Sequence, residues 1–139
     1  MPTLNHYLLV AGLLFASGCA LADGNLVGKW VEVDGARQGA KAGITPHGSH
    51  EGDRYAADAD LTFTLNIEKQ EGRSFHAQWC TQHKCEDAVG VIRRDGQNLL
   101  MADEDGTYTG TLMGDTLELC YTQASATFRV AGCRDMIKQ

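Results

Sequence analysis

Apolar and polar residues alternate along this chain in short runs broken by Gly and Asp, a pattern of strands with one buried and one wet face. The clearest run is Leu61-Thr62-Phe63-Thr64-Leu65-Asn66-Ile67-Glu68. After the turn Glu71-Gly72-Arg73, residues 74–80 place Phe75, Ala77 and Trp79 on one face and His76 and Gln78 on the other. Further runs cover 88–93, 98–102, 107–112, 116–122 and 127–134, separated by Arg94-Asp95-Gly96-Gln97, Asp103-Glu104-Asp105-Gly106 and Gly114-Asp115. With residues 26–33 in front, the pattern predicts about eight strands and no long helix. Short turns between antiparallel strands predict an all-β fold, a small up-and-down barrel. The predicted inward set is Leu61, Phe63, Leu65, Ile67, Phe75, Trp79, Val89, Val91, Leu99, Met101, Tyr108, Leu112, Leu117, Leu119, Tyr121, Phe128 and Val130. So many bulky groups should fill most of a barrel this small, leaving binding to its mouth or outer surface.

Two segments break the rhythm. Residues 7–16 are apolar and uncharged, and Ala20-Leu21-Ala22 places small residues where a signal peptidase reads them. Residues 1–22 therefore read as a signal peptide with cleavage before Asp23, leaving no transmembrane segment after processing. Ala16-Ser17-Gly18-Cys19 offers a second reading, a lipobox whose Cys19 would anchor the protein to the outer membrane. Residues 23–139 form a single β-barrel domain, with a long loop predicted over 34–60, where Gly, Ala and charge dominate. Loops of that length are usually functional or disordered.

Cysteine usage supports export to the periplasm or beyond. Of the 5 Cys, Cys80, Cys85, Cys120 and Cys133 lie in the predicted mature chain, an even set suited to disulfides in an oxidising compartment. Cys120 and Cys133 flank a turn near Ser125-Ala126, and Cys80 and Cys85 close the junction of two strands. The predicted pairing is thus 80–85 and 120–133. With 12 basic and 18 acidic residues the net charge is -6. No basic block exists, so neither nucleic acid nor an anionic membrane surface is an expected partner.

Few groups point to chemistry. His47, His50, Glu51 and Asp53 bring two imidazoles and two carboxylates together within the long loop, a donor set that suits Zn, Cu or Ni. His83, between Cys80 and Cys85, would extend such a set only if the cysteines were thiolates. Asp103-Glu104-Asp105-Gly106 resembles part of a calcium loop, but Leu112 stands where an EF-hand needs its last Glu, and an Asp-Gly hairpin turn accounts for the segment. No G-x-S-x-G, H-E-x-x-H or phosphate loop is present. Neither an enzymatic activity nor a cofactor is therefore expected.

Gly28-Lys29-Trp30 resembles the G-x-W motif near the first strand of lipocalin- and avidin-like barrels, the calycin group. The resemblance implies an eight-stranded barrel with Trp30 as a plug at one end. The ligand-binding residues of those families find no matching positions here, and none is carried over. The stretch Gly90-Val91-Ile92, Asp103-Glu104-Asp105-Gly106 and Leu117-Glu118-Leu119-Cys120-Tyr121 resembles small exported bacterial proteins of unknown function, which implies no activity. The expected function is non-enzymatic binding, of a partner protein or a small apolar ligand, at the barrel mouth and long loop. The alternative is periplasmic metal binding through the His and acidic residues of that loop.

Overall fold

The computed structural model of the chain describes residues 24–43 and 61–139. The signal and lipobox residues, Cys19 among them, and the cluster His47, His50, Glu51 and Asp53 lie outside the described residues. Among those described, nine strands form: β1 (Gly28–Glu32), β2 (Gln38–Gly43), β3 (Thr64–Glu71), β4 (Ser74–Cys80), β5 (Cys85–Ile92), β6 (Asn98–Ala102), β7 (Thr107–Met113), β8 (Thr116–Ala124) and β9 (Phe128–Lys138). No helix among them is long and apolar enough to cross a membrane.

Every pairing is antiparallel, and the sheet closes because β1 pairs with both β3 and β9. The other half of β9 pairs with β2. β1 and β2 are therefore one interrupted stave, and the nine strands make a closed eight-stave barrel. This corrects the loop predicted over 34–60, since residues 38–43 belong to the wall. Gln38-Gly39-Ala40-Lys41-Ala42-Gly43 carries no apolar alternation to reveal a strand. Backbone pairing holds it, from Gln38 opposite Cys133 to Gly43 opposite Phe128. Small residues allow the close approach: a Cβ on Gly43, whose φ is +83°, would sit 2.1 Å from the Thr127 carbonyl oxygen.

Short turns fix the strand order, and side chains hold several of them. Gly72 and Gly114 adopt positive φ in the two-residue turns after β3 and β7. After β5, Asp95 Oδ1 accepts from the N–H groups of Gln97 (3.0 Å) and Asn98 (2.8 Å). Together with the bond from the Asn98 side-chain amide, these hold the Asp95 carboxyl down at about 2.

The end carrying the turns after β3, β5 and β7 is stoppered. Residues 24–27 cross it, placing Leu26 inside at 2% exposure, and Trp30, equally buried, donates its indole N–H to the Leu26 carbonyl at 2.9 Å. A register shift in β3 between Ile67 and Lys69 turns Gln70 toward this segment. Its side-chain carbonyl accepts the Leu26 N–H at 2.9 Å, and its amide donates to the Gly24 carbonyl at 3.2 Å. Lys138 Nζ donates to the Asn25 carbonyl at 2.9 Å.

Above this stopper the interior is solid, with Leu65, Ile67, Phe75, Leu117, Leu119 and Met136 almost wholly buried. Large and small residues interlock across it. Phe75 lies opposite Gly90, where a Cβ would fall 2.0 Å from the ring. That contact sets the phase of β5 and corrects the prediction for Val89 and Val91, which face outward at 53% and 37% exposure. Ala88, Gly90 and Ile92 face inward instead, because the Phe75 ring already occupies the space beside Gly90.

Disulfides join Cys80 to Cys85 and Cys120 to Cys133. Each links residues directly opposite one another, on β4–β5 and on β8–β9, in the expected pairing. Both suit an oxidising compartment.

Candidate functional site

The other barrel end, carrying the turns after β4, β6 and β8, is not filled by the described residues. It holds a cavity of about 440 Å³, within the usual range for small-molecule sites. The inward positions that pack solidly lower down continue here as an aromatic arc. Phe63, just before β3, stacks on Trp79 of β4, with ring centroids 5.2 Å apart. Trp79 meets Tyr108 of β7 at 5.4 Å, and Tyr108 meets Tyr121 of β8 at 4.7 Å. Strand alternation points these residues, from four parts of the chain, into the barrel, where Trp79 and Tyr108 meet across the interior.

Arg134 of β9 closes the arc. It follows Phe128, Val130 and Gly132 in the inward phase and precedes Met136, so its side chain is committed to the interior. The guanidinium lies 3.9 Å from the centroid of Phe63 and 5.1 Å from that of Trp79. Its Nη1 is buried and meets no hydrogen-bond partner among the described residues. Burial lowers its pKa to about 10, opposed by the charge of Glu32 and deepened by that of Arg37.

Neighbouring charges are already engaged. Arg37, in the break between β1 and β2, donates from Nε to Glu32 Oε1 at 2.6 Å and from Nη2 to Glu32 Oε2 and the Leu61 carbonyl. Glu32 Oε2 also accepts the Phe63 N–H at 3.2 Å. Asp103 Oδ1 accepts from the N–H groups of Asp105 (3.0 Å) and Gly106 (2.8 Å), and Oδ2 from the Tyr108 hydroxyl at 2.6 Å. Burial first, and then this bond to Asp103, raises the Tyr108 phenol far above its ordinary range. The Tyr121 phenol is also raised, by burial and then by the charges of Asp103, Asp105 and Glu86.

Asp103-Glu104-Asp105-Gly106 is thus a hairpin turn stitched by its own first carboxylate. His83 lies on the exposed turn between β4 and β5, at the cavity rim. The adjoining cysteines are consumed by their disulfide and offer no thiolate beside it. Among the described residues Glu118, Cys120 and Cys133 approach one another as three potential metal ligands, but the Cys120–Cys133 bond likewise removes both thiolates. Trp30 sits at the stoppered end, away from the cavity lining.

Of the cavity's functional groups, Phe63, Trp79, Tyr108 and Tyr121 were legible as inward aromatics. Arg134 and Arg37 were not among the residues singled out from the sequence. The signal for Arg134 was its position in phase with Phe128 and Val130, which puts a charge on the barrel's inner face. Fold and cavity together define a closed antiparallel β-barrel with one stoppered end and one open, aromatic-lined end. No family model, curated protein or solved structure matches the chain.

Proposed function

We propose that this protein is a non-enzymatic exported binding protein, of calycin-like design, that holds one small apolar ligand in the open end of its barrel. The observation that carries this reading is the cavity of about 440 Å³ walled by Phe63, Trp79, Tyr108 and Tyr121 above a solid core. Ligand sites in small barrels commonly form at the mouth, where a rigid wall meets variable loops. The signal-like residues 1–22 and two disulfides support action in the periplasm or outside the cell.

Titration with the uncharged apolar dye N-phenylnaphthylamine tests the reading. One dye should bind per chain, with energy transfer from Trp79. The variant Val130→Trp, which fills the cavity from β9, should abolish binding while the thermal melt stays cooperative. Absence of binding by the wild type, or equal binding by the filled variant, would overturn the proposal.

A further inference from the structure

Resting on that reading, we infer that the ligand is an organic anion with a flat apolar body, its acid group taken by the Nη1 of Arg134. A buried guanidinium nitrogen without an acceptor is expensive, and native interiors rarely tolerate one. Here Nη1 meets none among the described residues. Glu32 is near enough to favour the Arg134 charge, yet both its oxygens are held by Arg37, one of them also by the Phe63 N–H. Both oxygens of Asp103 already accept hydrogen bonds, from its own turn and from Tyr108.

A carboxylate or sulfonate entering from the open end would supply the missing acceptor in a partly desolvated setting, where charge-assisted hydrogen bonds are strongest. The rest of the ligand must suit what surrounds that point. Arg134 lies across the stacked Phe63 and Trp79 rings, and Tyr108 and Tyr121 continue the wall. Such a surface favours a planar body in offset or edge-on contact with the rings. The phenols of Tyr108 and Tyr121 stay protonated well beyond neutrality, so they add no negative charge to repel the anion.

Two dyes of the same skeleton separate the claims. Anilinonaphthalene sulfonate carries the acid group, and N-phenylnaphthylamine lacks it. The wild type should bind the sulfonate about tenfold to hundredfold more tightly than the neutral dye, the worth of a charge-assisted hydrogen bond. Arg134→Met should erase that preference and still bind the neutral dye, with its own melt showing that it is folded. If neither dye binds the wild type, the mouth-binding reading itself fails. If both bind the wild type equally, mouth binding stands and the anion anchor is refuted. A sulfonate preference that survives Arg134→Met would place the anchor on other cations and overturn the assignment to Arg134.

Discussion

Replacing Arg134 with Met should make the ligand-free barrel more stable. Burial brings this guanidinium down from the ordinary arginine range to about 10. At about 1.4 kcal/mol per pH unit, carrying the charge into this site costs on the order of 3 kcal/mol. Met occupies similar space without a charge, and its flexible chain adapts to irregular gaps. Against the gain stands the lost contact of the guanidinium with Phe63, roughly 0.5–2 kcal/mol. The balance favours the variant by about 1–2 kcal/mol, within the range seen when buried charges give way to apolar residues. Urea denaturation of the ligand-free proteins at neutral pH measures it, and an unchanged slope would show that the effect lies in stability rather than compactness. The wild type's handicap is complete below about pH 10. Above that it shrinks, because the native guanidinium releases its proton while the unfolded one keeps it, so the gap between the two proteins should narrow as pH climbs. A variant less stable than the wild type by 1 kcal/mol or more (~1.4 kcal/mol being tenfold in equilibrium) would refute the reasoning. It would mean that the charge is satisfied where it stands, and the case for a vacant acceptor position would go with it.

Other consequences can be checked on the same protein. Gly90→Ala puts a methyl 2.0 Å from the Phe75 ring and should cost about 1–3 kcal/mol, part of it recovered by adding Phe75→Leu; strict additivity in the double-mutant cycle would show that the two do not interlock. The Cys120→Ala, Cys133→Ala protein should lose about 2–3 kcal/mol in urea melts, and a non-reduced peptide map joining Cys80 to Cys120 or Cys133 would contradict the register. Phenolate absorbance should show Tyr108 and Tyr121 neutral until the alkaline fold gives way. Their contribution to stability is complete below about pH 10 and is lost as pH rises, since unfolded phenols ionise first; reversible ionisation near pH 10 in the native protein would contradict their burial. Mass spectrometry of the exported chain should find Asp23 at its N-terminus, whereas a diacylglyceryl group on Cys19 would establish the lipoprotein form.

The strand pattern was legible where alternation ran through whole elements. β3, β4 and β8 put their large apolar residues on one face only, with Leu65, Trp79 and Leu119 inside; β6 and β7 bury Leu99 and Tyr108 in the same phase, although Leu100 and Met113 face out. β5 was not legible in the same way. Val89 and Val91 outweigh Ala88 and Gly90 by size, so hydrophobicity alone assigns the wrong face. The deciding fact is a neighbour's volume, the Phe75 ring, which belongs to another strand. β2 was missed because its cohesion comes from backbone pairing to β9 and leaves no trace in its side chains. Arg134 escaped notice for the opposite reason: a charged residue ordinarily marks the outer face, and here it follows the inner phase.

β2 and Arg134 share a location, the open half of the barrel, and that half has a consistent physical logic. Leaving a cavity of about 440 Å³ forgoes apolar packing that the stoppered half enjoys, and placing Arg134 beside it adds a desolvation cost. Both disulfides lie in this same half. Cys80–Cys85 staples β4 to β5 at the rim, and Cys120–Cys133 sits directly beside Tyr121 and Arg134 in sequence, on the outer face of the same two strands. Cross-links that restrict the unfolded chain can offset weak packing in a small barrel without occupying its interior. The Cys120–Cys133 bond also holds β8 and β9 in the register that points Tyr121 and Arg134 into the cavity. The staples therefore stabilise the barrel in the half that the cavity weakens.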